Sequence, residues 1–133
     1  QIAAFSFNES NSSLVIDETG NGYHGELLGD ASKNISSFGN AISFDGDNDG
    51  IVLPKIEYLD SPSTFSYSFW FKRLSDNNES KSSNNVSNIL LSQSSIDLSD
   101  NIEVGTKGSQ VQVYINNGSD HVFRTNDANV SKN

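Results

Sequence analysis

Apolar and polar residues follow one another in short alternating runs, separated by clusters of Gly, Asn, Asp and Ser. That arrangement predicts strands joined by turns, not amphipathic helices. The longest alternation is Thr64–Lys72, with Phe65, Tyr67, Phe69 and Phe71 on one side and Ser66, Ser68, Trp70 and Lys72 on the other. Its period of two predicts a strand, and its apolar content predicts a central one with Trp70 packed in the core on the second face. An open second face would instead let Trp70 stack on a sugar ring. Shorter strands are predicted at Ala3–Phe7, Leu14–Ile16, Tyr23–Leu28 and Asn88–Ser94. Gly29–Ser37 reads as a polar connection. Ala41–Phe44 and Ile51–Leu53 read as a hairpin with an acidic tip, stopped by Pro54. Ile56–Ser61 fits a helical turn or a loop, and Leu74–Ser87 is a long Ser/Asn-rich stretch. A meander follows: Asn101–Thr106, Gln110–Ile115 and His121–Arg124, with turns at Lys107-Gly108 and Asn116-Asn117-Gly118. The predicted class is all-β, a two-sheet antiparallel sandwich.

Composition narrows this picture. A chain of 133 residues is one domain's worth, and the 34% hydrophobic share is rich in aromatics, which suits a thin two-sheet core. The net charge of −9 disfavours nucleic acid and anionic membrane as partners, since both need Lys/Arg clusters. It suits a hard cation such as Ca²⁺, or solubility alone. With no Cys, disulfide frameworks, thiolate zinc sites and Cys nucleophiles are excluded. No apolar run is long enough to insert into a membrane. The chain opens on Gln1-Ile2 and contains no Met, from which we expect its natural start, with any export signal, to lie upstream.

Two oxygen-rich segments are the candidate metal sites. In Asp17-Glu18-Thr19-Gly20-Asn21-Gly22-Tyr23-His24-Gly25, closely spaced glycines predict a tight backbone, and Asp17 and Asn21 supply side-chain oxygens on one turn. Ca²⁺ ligation and Asx-turn hydrogen bonds to the local backbone both fit that spacing. Asp45-Gly46-Asp47-Asn48-Asp49-Gly50 resembles the start of an EF-hand loop, but Ile56 stands where the bidentate Glu is required, so this is not an EF-hand. Its carboxylates repel one another unless a cation or solvent screens them. His24 reads as a structural residue, and His121 carries no motif. No G-x-S-x-G, H-E-x-x-H or P-loop occurs, and no E-x-D-x-x-E strand of the kind a glycanase on a sandwich would need.

Taken together, "IAAFSFNE" (residues 2–9), "DETGNGYHGELLGDA" (17–31), "FGNAISFDGDNDGIVLP" (38–54) and "FSYSFWFKR" (65–73) resemble the laminin-G-like jelly-roll domains of the concanavalin-like lectin/glucanase superfamily. The family blocks run W-x-F-D/N-E, D-x-S/T-G-N-G-x-H-G, F-G-x-A-L-x-F-D-G-x-x-D-Y-V and F-T-I-S-x-W-F/V-K. All four are matched in order. The likeness is dense over residues 2–73 and looser through "ILLSQSS", "IEVGTKGSQVQVYINNG" and "HVFRTN". Gly50 stands where the family usually has Tyr, and the family's W-H-H-V-A-x-T-Y-D-like strand and x-L-Y-V-D-G hairpin are not found.

What this resemblance implies is a concanavalin-like jelly-roll sandwich, residues 1–133 forming a single partial domain incomplete at its C-terminus. It further implies a Ca²⁺ held near the loops, with Asp17 and Asn21 from the first segment and Asp45 and Asp49 from the second. The implied function is a non-catalytic carbohydrate-binding or adhesion module of a larger exported, secreted or cell-surface protein. Its partners would be a carbohydrate or matrix ligand and other domains of the same polypeptide. The alternative is a fragment of a polysaccharide-degrading enzyme, a glycoside hydrolase or lyase, whose catalytic residues lie outside this chain.

Overall fold

The structure, a computed structural model, describes residues 1–10, 13–59, 64–74, 82, 86–94, 100–117 and 119–125. These residues are essentially all-β: every strand pairing is antiparallel, and they contain no α-helix. The chain forms two compact units, Gln1–Glu57 and Tyr58–Asn133.

In the first unit, β1 (Leu14–Val15), β2 (Gly25–Leu28) and β5 (Gly50–Val52) form one sheet in the order β1-β2-β5. β3 (Ser32–Ser36) and β4 (Gly39–Ser43) form a separate hairpin. This corrects the expected pairing of Ala41–Phe44 with Ile51–Leu53, because β4 pairs β3 while β5 pairs β2. The polar run after Gly29 supplies the missing partner. Ser36 Oγ donates to Gly39 O at 2.8 Å and accepts from the Phe38 amide at 3.1 Å, which tightens the turn, and Gly39 takes φ +113°. Val15, fully buried, anchors the small core of this unit. Lys33 Nζ ties the elements together: it pairs with Glu9 at 3.2 Å and donates to the Glu9 and Leu14 carbonyls. Ala3–Phe7 takes no strand pairing among the described residues. Ala4 is instead pinned by its carbonyl accepting from the Glu18 amide at 2.8 Å, and Phe7 has φ +60°.

The second unit is built on the meander β6-β7-β8-β9: Ile89–Ser94, Asp100–Lys107, Gln110–Asn117 and Asp120–Arg124. Gly108, φ +56°, occupies the turn between β7 and β8 where a two-residue hairpin needs a positive φ. Of the other expected turn, Gly118 lies outside the described residues, as does most of Leu74–Ser87. Register places Leu91, Ile102, Val104, Val113, Ile115 and Phe123 on one face. Glu103, Gly105, Gln112, Tyr114, Val122 and Arg124 share the other.

That second face is polar yet partly buried, because the chain at Val86–Asn88 lies across it. Thr106 N donates to Ser87 O at 2.9 Å, Asn88 Nδ2 to Thr106 O at 2.9 Å, and Ser87 N to Gln112 Oε1 at 3.0 Å. Ser82 Oγ donates to Glu103 Oε2 at 2.5 Å.

The expected central strand Thr64–Lys72 is corrected, because Thr64–Leu74 carries no strand pairing among the described residues. Its aromatics keep the two-residue spacing: ring centroids are 5.6 Å apart for Phe65 and Tyr67, and 6.2 Å apart for Phe69 and Phe71. Tyr67 and Arg73 fasten the segment: Tyr67 Oη donates to Gln93 Oε1 at 2.7 Å, and Arg73 donates to Gly108 O. Trp70 is 96% exposed instead of being in the core, and Phe65, Phe69 and Phe71 on the other side are exposed as well, at 41%, 42% and 40%.

Candidate functional site

Three places carry concentrated chemistry. The first is the Asp17 loop. Asp17 is buried, at 2% exposure, and its carboxylate is surrounded by donors. Oδ1 accepts from Ala4 N at 3.1 Å, Thr19 N at 3.0 Å and Thr19 Oγ1 at 2.7 Å, while Oδ2 accepts from Tyr23 N at 3.2 Å. Gly20 and Gly22, with φ +84° and +83°, let the backbone wrap around it. Burial pushes the Asp17 carboxyl up, but the hydrogen bonds from Thr19, Ala4 and Tyr23 outweigh it and hold it at about 2. Asn21 Nδ2 donates to Ile2 O at 2.8 Å, and His24 Nδ1 accepts from Asp17 N at 3.0 Å. The bonds from Ala4 and Asn21 join the loop to the start of the chain.

The second place is the acidic connector after β4. Asp49 Oδ2 accepts from Asp45 N at 2.8 Å, Asp49 Oδ1 from Asp30 N at 2.9 Å, and Asp45 Oδ1 from Asp47 N at 2.8 Å. Carboxylate oxygens of Asp30, Asp45 and Asp49 all lie within 4.8 Å of one another. Asp17 is not a member of that group. The structure thus brings together two of the sequence-derived candidates, Asp45 and Asp49, and adds Asp30. The β2–β5 register explains the addition: Leu28 faces Gly50, so the residues just beyond those strand ends meet. Nothing local to Asp30 signals this, since the contact depends on a pairing between distant strands. A hydrogen bond with the Asp49 carboxyl and the charges of Asp45 and Asp49 push the Asp30 carboxyl up. The Asp45 amide leads the causes that lower Asp49, against opposing burial. Chemically the group is a set of hard oxygen donors on an exposed turn.

The third is the open surface of the second unit. Trp70 stands exposed beside Ser66, Ser68 and Lys72, all exposed. On the polar face of the meander, Asp120 Oδ1 accepts from Tyr114 Oη at 2.6 Å and Asn116 Nδ2 at 2.7 Å, and the hydrogen bond to Asp120 pushes the Tyr114 hydroxyl up.

No family model matches the chain, and no curated protein or solved structure matches it. Among the described residues no helix is long and apolar enough to cross a membrane.

Proposed function

We propose that this chain is a non-catalytic carbohydrate-binding or adhesion module of an exported protein, built as a laminin-G-like jelly-roll sandwich. The carrying observation is Trp70, 96% exposed on the Thr64–Leu74 segment, with the exposed hydroxyls of Ser66 and Ser68 and the ammonium of Lys72 at alternate positions along it. A sugar ring offers an apolar C–H face to an indole and hydroxyls to polar neighbours, so this strip has the chemistry a saccharide needs. The lack of catalytic motifs and the all-β architecture support the same reading. Polysaccharide pull-down and a glycan array on this chain test it. Retention of one or more glycans is expected, with Trp70→Ala weakening binding about tenfold or more. Absence of any glycan binding, with and without Ca²⁺, sinks the proposal.

A Ca²⁺ requirement belongs to the same reading, now at Asp30, Asp45 and Asp49, which supply only oxygen ligands. A thermal melt in Ca²⁺ against EDTA is expected to show a higher midpoint with the ion, since a ligand bound only by the folded state stabilises it. In Asp30→Asn, the EDTA midpoint is expected to rise, because one of the crowded charges is gone, and the Ca²⁺ response to shrink. Coincident melts of the unmodified chain in Ca²⁺ and EDTA remove the ion from the proposal.

A further inference from the structure

Among the described residues, β9, Asp120–Arg124, is the outer strand of the four-stranded sheet, and every residue in it is exposed. Edge strands usually carry a device that prevents pairing, such as a bulge, a Pro or a Lys. The opposite edge, β6, has one: its register shifts between Ile89 and Leu91. β9 has no bulge, Pro or Lys, its charged residues Asp120 and Arg124 are of opposite sign, and it exposes Val122 at 44% and Phe123 at 57%.

The direction of its backbone groups follows from one bond beyond the strand. Thr125 N donates to Val111 O at 3.1 Å, so residue 125 points its backbone at β8. Backbone direction alternates along a strand. Phe123 and His121, opposite Val113 and Ile115, therefore also turn inward, while Asp120, Val122 and Arg124 turn their N–H and C=O groups outward. A two-fold axis beside Val122 would bring the outward groups of two copies into antiparallel register, with about six inter-chain backbone hydrogen bonds.

The side chains suit that register. Reading Asp120-His121-Val122-Phe123-Arg124 against its own reverse puts Asp120 opposite Arg124 twice, His121 opposite Phe123 twice, and Val122 opposite itself. The charged pairs fall on one face and the ring pairs on the other, as cross-strand neighbours must. His121 and Phe123 already stack within the strand, with centroids 6.4 Å apart. Asp120 uses Oδ1 for Tyr114 and Asn116, leaving Oδ2 directed to no partner among the described residues. Charge complementarity and backbone direction thus select one occupant. We infer that β9 is a self-pairing edge, and that a second copy of this chain adds to it across a two-fold axis centred on Val122, joining two four-stranded sheets.

Sedimentation equilibrium of the full chain over roughly 1 µM to 1 mM tests this, the range in which so small an interface is expected to associate. A monomer–dimer equilibrium is expected. Val122→Pro removes an outward N–H and no bond to β8, so the sheet should survive, checked by circular dichroism, while dimer is lost. Arg124→Glu sets like charges opposite each other twice and is expected to weaken the dimer about tenfold. Asp120→Arg should do the same. Mixing these two charge variants restores both opposite-charge pairs only in the heterodimer, which should recover the original affinity. A chain that stays monomeric throughout, or charge variants that dimerise no better mixed than alone, overturns the inference.

Discussion

Gly105→Ala is expected to destabilise the second unit by on the order of 2–4 kcal/mol, seen as a lower urea midpoint at an unchanged slope. Gly105 lies in β7 on the face crossed by Val86–Asn88. A Cβ there would run into the Ser87 carbonyl oxygen and sit 2.7 Å from Val86 Cγ1. The first obstacle is backbone, so no rotamer change relieves it. Retreat of the crossing chain would loosen the Thr106 N to Ser87 O bond and the Ser87 N to Gln112 Oε1 bond, exposing or stranding buried polar groups. Gly50→Ala is the control: Gly50 lies in β5, has no positive φ and has open space where the methyl would go. Its melt should move little. A Gly105→Ala chain as stable as Gly50→Ala would show that Val86–Asn88 does not hold to the sheet.

The contrast between the two units shows what a sequence makes legible. The meander is readable because β7 and β8 alternate regularly and meet at a glycine turn, so neighbours in sequence are neighbours in space. β3 is not, because Ser32–Ser36 is almost wholly exposed and offers no apolar period. Missing it misassigns β4, and the Asp45–Gly50 segment changes from a hairpin tip to a connector between two sheets. Asp30 enters the acidic group through that same reassignment. For Thr64–Leu74 the two-residue spacing of the aromatics is right and the inference from it is not: alternation reports two unlike faces, whereas burial of either face depends on what lies against it, and Phe65, Phe69 and Phe71 are exposed as well as Trp70. Trp70 fits either setting from the sequence, and its exposure moves it to the surface chemistry. The Asp17 loop is legible as a tight glycine turn, with metal ligation and local hydrogen bonding as its two readings. The structure supplies the donors, two of them amides of the loop itself, Thr19 and Tyr23, and one from Ala4.

Asp17→Asn is expected to produce the largest loss of stability in the first unit, and a pH series identifies its cause. Donors approach both carboxylate oxygens: Ala4 N and Thr19 N at Oδ1, and Tyr23 N at Oδ2. An asparagine presents one oxygen and one NH₂, so in either flip its NH₂ faces a backbone N–H that cannot accept. The substitution conserves shape and still leaves a buried donor unsatisfied. The carboxyl of the unmodified chain, held at about 2 against an ordinary 3.8, supplies stability that is complete above the unfolded value. That contribution declines as pH falls through the interval between those values, because protonation removes an acceptor from the donors around it. The melting midpoints of the two chains should therefore lie far apart near pH 6 and converge as pH approaches 2. Glu9 and Asp49, also lowered, respond to acid in both chains alike and cancel in the difference. A gap that stays constant across the series would mean that Asp17 matters through its shape alone, and that its charge does not hold the Ala4 and Tyr23 amides in place.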